Sequence, residues 1–205
     1  MPPTKKTIEE IKTHRKKFYN NRSSTYDNLS WSDKAHPEIL GFKNHVKVKK
    51  GDIVLDIATG TGQFLIEMAK DGANCYGIDI SKKMLEQIKP KIKHLNLQDN
   101  IKEIRVGEAD NLPYQDDFFD LVTCIGMFEY YPIEYFQIVL KEIRRVLKPN
   151  GTSYIDIADP NNEEMQNRSY IFKYYLKIFE NTVYNTAFQI VKKNVAGNMI
   201  QYLIA

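Results

Sequence analysis

Between positions 53 and 158 the chain alternates between two hydrophobic rhythms. Short apolar runs at 53–58, 73–79, 101–106, 119–125 and 152–158 have the length and branched side chains of buried strands. Between them, 63–70, 81–95 and 133–147 space their apolar residues three and four apart, as one face of a helix does. Strands alternating with helices of this size argue a parallel sheet covered on both faces. Ser81 suits the N-cap of the second helix, and Pro90 inside it should kink or stop it near Lys89. Pro149-Asn150-Gly151 closes the third helix with a turn.

Outside this centre the pattern is less regular. Residues 4–19 read as an exposed amphipathic helix with Ile8, Ile11, Arg15 and Phe18 near one face. Its basic residues, Lys5, Lys6, Lys12, Arg15, Lys16 and Lys17, outnumber Glu9 and Glu10, so it either packs over the domain or meets an anionic surface. Residues 20–31 are polar and turn-rich, and 41–50 read as a helix end and a loop. Residues 161–181 look helical and carry Tyr170, Phe172, Tyr174, Tyr175 and Phe179. A strand at 187–193, a turn at Gly197-Asn198 and a last strand at 199–205 complete the pattern.

Length adds that the 205 residues fit one domain with a full core, and 42% hydrophobic residues favour a packed globule. A net charge of +3 is too small to mark a nucleic-acid binder. No apolar stretch approaches the roughly 20 residues needed to span a bilayer, and the start lacks a signal-peptide apolar core. Cys75 and Cys124 fall in expected strands and read as small core residues of a reduced, cytoplasmic protein. Neither has His or Cys neighbours at metal spacing, so no metal is expected.

The candidate chemistry gathers where strands end. Leu55-Asp-Ile-Ala-Thr-Gly-Thr-Gly62 takes a strand through a sharp turn into a helix. Glycine permits the turn and lets a ligand touch the main chain, while the helix start offers unpaired N–H groups. Asp56, four residues before Gly60, would repel a pyrophosphate and attract an ammonium. The dinucleotide fingerprint also wants a third glycine where this chain has Leu65. Asp79 ends the next strand, 17 residues after Gly62, where a carboxylate can accept both hydroxyls of a ribose. In an open α/β sheet, ligands collect at these strand ends, near the point where strand order reverses.

Taken in order, Leu-Asp-Ile-Ala-Thr-Gly-Thr-Gly, Gly77-Ile-Asp-Ile-Ser81, Gly107-Glu-Ala-Asp-Asn-Leu-Pro-Tyr114 and Leu147-Lys-Pro-Asn-Gly151 resemble the motifs of class I S-adenosylmethionine-dependent methyltransferases. Within them the chain looks most similar to the small-molecule group that includes the ubiquinone/menaquinone C-methyltransferases. The resemblance implies a doubly wound, Rossmann-like α/β fold, mostly parallel, with a final antiparallel strand and helices on both faces. It implies a single domain over 1–205, with 1–45 as a helical cap and 160–185 as an aromatic-rich helical lid.

The resemblance also implies the cofactor S-adenosyl-L-methionine, its product S-adenosyl-L-homocysteine, and a small-molecule methyl acceptor. By it, Asp56, Ala58, Thr59, Gly60 and Gly62 cradle the methionine end, with Asp56 toward the ammonium. Asp79 takes the ribose, Ile80 and Met84 face the adenine, Glu108 and Ala109 meet its edge, and Ile125 lies beside the sulfonium. Tyr26 and Glu129 are the catalytic candidates; many relatives carry His where this chain has Glu129. His36 is a further acceptor-side candidate, and the roof is expected from 18–31, including Trp31, and from 165–184. Aromatics there suit a planar acceptor or a cationic amine. An RNA methyltransferase and a catalytically silent cofactor-binding scaffold stay open as alternatives. Against the first, Ile125-Gly-Met-Phe-Glu-Tyr-Tyr-Pro132 lacks the Asn/Asp-Pro-Pro-aromatic motif of enzymes that methylate base amino groups. Peripheral membrane contact through the basic helix also stays open, and oligomeric state is not legible.

Overall fold

The computed structural model describes residues 7–28, 36–168, 172 and 176–205. The apolar runs become β1 (Ile53–Ile57), β2 (Asn74–Asp79), β3 (Ile101–Val106), β4 (Phe119–Cys124) and β5 (Leu147–Ala158). Two later strands follow, β6 (Ile190–Ala196) and β7 (Met199–Ile204). All seven form one sheet in the order β3-β2-β1-β4-β5-β7-β6. β1 to β5 pair in parallel, while β7 runs antiparallel to β5 and to β6. The strand order reverses between β1 and β4, which places a crevice above their C-terminal ends.

Eight α-helices are found among the described residues. They are α1 (Ile8–Arg22), α2 (Pro37–His45), α3 (Gln63–Lys70), α4 (Lys82–Glu86), α5 (Ile88–His94), α6 (Ile133–Val146), α7 (Glu163–Asn167) and α8 (Leu176–Asn185). β1 shows why both sheet faces must be covered. Val54 packs with α2, α3 and α5 through Phe42, Leu65 and Ile88, while Leu55 and Ile57 join Phe136, Val139 and Leu140 of α6 on the other face. Alternation along the strand forces this two-sided burial. No described helix is long and apolar enough to cross a membrane.

Four local readings need correction. The helix expected over 4–19 starts only after Thr7, whose hydroxyl accepts from the Glu10 N–H (3.2 Å) while the Glu10 carboxylate accepts from the Thr7 N–H (2.7 Å). This reciprocal cap fixes the start. Nor is α1 simply exposed: Lys12 and Arg15 turn inward with Ile11. The helix expected over 81–95 breaks at Gln87, and Pro90 lies in the first turn of α5, where a missing N–H costs no helical bond. The helical stretch expected over 161–181 divides into α7 and α8, because Arg168 leaves α7 in extended conformation. Its described aromatics take different places: the Phe172 N–H donates to the Glu129 carbonyl at 2.6 Å, beside the cavity. Phe179 stacks on Phe136 at 4.5 Å and tilts against Tyr202 at 5.0 Å, deep in the core. Tyr170, Tyr174, Tyr175 and Trp31 lie outside the described residues, as do Lys5 and Lys6.

Candidate active site

The turn after β1 is built from three residues with positive φ in five positions: Ala58 (57°), Gly60 (55°) and Gly62 (85°). Gly62 also needs its missing Cβ, which would stand 3.1 Å from the Ile88 side chain of α5. Two carboxylates hold this turn. Asp79 Oδ2 accepts the Gly60 N–H at 2.9 Å, and its Oδ1 accepts the Ser81 N–H at 2.7 Å. One side chain thus joins the loops that follow β1 and β2. Asp56 accepts the Thr59 hydroxyl at 2.7 Å and the Thr123 hydroxyl at 2.6 Å. Burial pushes each carboxyl up to about 6, against the hydrogen bonds that favour its ionised form.

The N-terminal segment is fastened over these loops at three points. Lys12 Nζ meets Glu108 Oε2 and Asp110 Oδ2, each at 2.7 Å, beyond β3. Burial works against the Lys12 charge, but its carboxylate partners, Asp110 foremost, hold its pKa above the usual lysine value. Asn20 Oδ1 accepts the Ser81 hydroxyl (2.8 Å) and the Lys83 N–H (3.3 Å) after β2. Asp27 accepts the Thr61 hydroxyl at 2.6 Å and pairs with Lys91 at 2.6 Å after β1. The segment so fastened sets the rings of Tyr19 and Tyr26 edge to face, 5.9 Å apart.

Between loops and segment lies a cavity of about 360 Å³. Ala58, Gly60, Asp79, Ile80, Met84, Glu108, Ala109 and Ile125 line one end, with Tyr26 and Glu129 further along. Asp56, Thr59 and Gly62 are not on its wall; they stand behind it and shape the turn. The far end is lined by Arg15, His36, Glu38, Glu129, Glu164 and Arg168. His36 caps α2, its Nδ1 accepting from the Glu38 N–H at 3.4 Å. Arg15 lies 4.1 Å over the Tyr130 ring, and Arg168 pairs with Glu164.

Two carboxylate oxygens here are left open. Glu129 is only 4% exposed and Asp156 fully buried, yet Glu129 Oε2 and Asp156 Oδ2 accept no hydrogen bond among the described residues. Asp156 sits under the floor, its Oδ1 accepting the Gly126 N–H at 2.8 Å. Burial pushes Glu129 up to about 7, with Arg15 and Arg168 pulling the other way. Burial and then the Glu129 charge push Glu38 up to about 7. Asp156 is raised well above the usual carboxylate range by burial and by both glutamates. Such displaced carboxyls can exchange protons near neutrality.

Sequence reasoning missed Glu38, Asp156 and the inward turn of Lys12 and Arg15. Asp156 carried a usable signal, a lone acid inside the apolar run Tyr-Ile-Asp-Ile-Ala, the same mark that singled out Asp56. Glu38 carried none, because its place depends on distant contacts. Gln201 of β7 donates to the Glu38 carbonyl at 3.0 Å and accepts the Tyr154 hydroxyl at 2.8 Å, pinning α2 to the sheet. Among the described residues no group of three or more His, Cys, Asp or Glu is placed to hold a metal ion.

Comparison with known proteins agrees with this geometry. A family model described as a methyltransferase domain matches residues 55–155, the span from β1 to β5. A demethylmenaquinone methyltransferase of Lactobacillus johnsonii is 39% identical over 144 residues, covering 68% of this chain and 57% of the relative. One of the same name from Staphylococcus carnosus is 32% identical over 190 residues, covering 85% of this chain and 73% of the relative. Two solved structures share the fold. A magnesium protoporphyrin IX methyltransferase of Synechocystis with bound S-adenosylhomocysteine has a TM-score of 0.74 at 15% identity, over 95% of this chain and 98% of that one. An S-adenosylmethionine-dependent methyltransferase of Aquifex aeolicus has 0.68 at 19%, over 90% and 97%.

Proposed function

The chain belongs to the methyltransferase family whose model spans β1 to β5, and from that premise we propose that it moves a methyl group from S-adenosylmethionine to a small-molecule acceptor held beside Glu129. The chain spans 57% of the length of the Lactobacillus relative it matches, so its activity and acceptor are proposals. When bound, S-adenosylmethionine supplies a methyl group on a sulfonium, whose positive charge makes the sulfur a ready leaving group.

The donor set fits that molecule. Each Asp79 oxygen already accepts one backbone N–H and keeps a lone pair for a ribose hydroxyl. Ile80 and Met84 offer an apolar shelf for a purine, and the Ala109 backbone offers its edge a partner. Glu108 is half-exposed and tied to Lys12, so its proposed role at the purine edge is shared with closing the segment. Asp56 acts indirectly: it fixes Thr59 and Thr123, and through Thr59 the glycine turn. Tyr26 covers the turn, its ring 3.9 Å from where a Gly60 Cβ would stand.

The protein's main task is alignment, a proximity effect of roughly 7–11 kcal/mol at best. Closing the N-terminal segment excludes water and sets the acceptor's approach. Glu129, which lines the cavity, keeps one oxygen without a partner among the described residues and has its carboxyl pushed up to about 7, is the proposed general base. The protein is proposed to work in the cytoplasm, where the buried thiols Cys75 and Cys124 stay reduced.

The observation that carries the reading is the convergence of cavity-lining residues on the C-terminal ends of β1, β2, β3 and β4, with Asp79 bridging two loops. Calorimetric titration with S-adenosylhomocysteine tests it. Saturable one-to-one binding is expected; absence of binding would sink the proposal.

A further inference from the structure

Uncompensated positive charge is gathered on one side of the molecule. Between Glu10 and Asp27 the chain carries no acid, and between Asp79 and Asp99 it carries only Glu86. These two stretches hold ten lysines and arginines. Three of them are engaged within the structure: Lys12 with Glu108 and Asp110, Lys91 with Asp27, and Arg15 in the cavity wall. The other seven are Lys16, Lys17 and Arg22 of α1, Lys82 and Lys83 of α4, and Lys89 and Lys93 of α5. All seven are exposed, and none makes an ion pair among the described residues.

The fold makes the two stretches neighbours. Asn20 Oδ1 accepts the Ser81 hydroxyl and the Lys83 N–H, so the end of α1 abuts the start of α4. Lys16 lies one turn before Asn20 on the same flank of α1. α5 follows α4 after the single residue Gln87, and the pairing of Asp27 with Lys91 ties the N-terminal segment to it a second time. Seven cations against Glu86 give this side about six positive charges. The whole chain carries +3, so the remainder is net negative by about three. Like charges left together repel, and the chain supplies no acid here to offset them beyond Glu86.

We propose that this side is a docking face for an anionic lipid bilayer, held by attraction between its lysines and the lipid phosphates. Clusters of roughly four to eight Lys or Arg on surface helices suit such a surface. RNA fits less well. Single strands are gripped by several stacking rings set among cations, and nucleic-acid-binding domains run to a pI above about 9. Within these two stretches Phe18 is the one aromatic that does not line the cavity, and the sequence pI is about 8.6. The same elements place Arg15, Tyr19 and Met84 on the cavity wall, so docking brings the roof of the cavity against the membrane. The face needs no bound cofactor and stands apart from the methyltransferase reading.

Co-sedimentation with vesicles tests this on the full 205-residue chain. In about 0.1 M salt it should bind vesicles of phosphatidylcholine with phosphatidylglycerol at least about tenfold tighter than phosphatidylcholine alone, and about 0.5 M salt should abolish the difference. Each cation near an anionic bilayer is worth roughly fivefold in affinity. Reversing three together, Lys17→Glu, Lys82→Glu and Lys83→Glu, should therefore weaken binding at least about thirtyfold. Reversing three exposed lysines elsewhere, Lys47→Glu, Lys50→Glu and Lys141→Glu, changes the net charge equally and should weaken it no more than about threefold. These six side chains make no ion pair among the described residues, so both variants should keep the parent Tm within about 2 °C. The lipid and salt arms use the parent chain and need no variant. No binding to the anionic vesicles, equal binding to both kinds, or an equal loss in the two triple variants would overturn the docking face. So would binding of a short single-stranded RNA that the first triple variant loses, with none to anionic vesicles, which would assign the face to nucleic acid.

Discussion

At the glycine-turn end of the cavity the buried aspartates are used by the protein itself, whereas at the opposite end Glu129 and Asp156 each keep an oxygen open. Asp56 and Asp79 each accept two internal hydrogen bonds, and those bonds set the loops that would grip a nucleoside. Glu129 and Asp156 each keep an oxygen with no partner among the described residues. The first arrangement makes a rigid cradle. The second holds charge near neutrality, where a ligand or a proton can settle it. Similar burial thus serves two ends: shape where all bonds are made, reactivity where one is withheld.

The strongest way to break this contrast is Glu129→Gln. It should lower the methyl-transfer rate by roughly 10²–10⁴-fold, the range of a lost general base, while S-adenosylhomocysteine affinity stays within twofold. A variant that instead lost nucleoside binding would show that the two ends are not separate. Asp79→Ala should give the converse: roughly a hundredfold weaker S-adenosylhomocysteine binding by calorimetry. It deletes two charge-assisted bonds of about 1.5–3 kcal/mol each and leaves the Gly60 and Ser81 N–H groups unpartnered.

Acidity sharpens the contrast further. Glu129 must be ionised to take a proton, so kcat/KM should rise as pH passes about 7. The groups around it that set this value are Glu38, Asp156, Arg15, Arg168, Tyr19 and Tyr130. Arg15→Gln removes a cation that favours the ionised Glu129 and should shift that limb to higher pH. Stability should run in the opposite sense. Asp56, Asp79, Glu38 and Glu129 bind their protons more tightly folded than unfolded, where carboxyls titrate near about 4. Their stabilisation is fully present below that value and is lost as pH rises through about 6–7. The Tm of the ligand-free protein should therefore climb as pH falls from 8 to 5, and a Tm that fell over that range would contradict the raised values.

The smallest effect is expected from Lys12→Met, which unfastens the N-terminal segment beyond β3. Glu108 is half-exposed, so solvent screens part of the pairing, and a loss of about 1 kcal/mol, or about 2–4 °C in Tm, is expected. An unchanged Tm with unchanged S-adenosylhomocysteine affinity would show that the tether does nothing.

How much of this was legible depended on the range of the interactions. α3 and β3 fall at 63–70 and 101–106 as expected, because an apolar run bounded by turn residues is a local signal. The parallel order followed from the alternation of elements. Lys12 and Arg15 were read as an exposed basic face, since hydrophobic spacing cannot say that a cation will be drawn inward by acids 96 and 98 residues away. The split between α7 and α8 was hidden because Phe179 and its neighbours are apolar whether they roof a ligand or fill the core. Glu38 owes its place to Gln201, a contact across 163 residues that leaves no trace in its neighbours.

The order of strands has one more consequence. β7 leaves the ribosome after every other described strand, yet it lies inside the sheet, bonded to β5 on one side and β6 on the other. Until it arrives, β6 has no neighbour in the sheet and Gln201 cannot seat α2. The nascent chain can thus assemble its nucleoside cradle early, but the acidic chamber is finished only after β7 has been made.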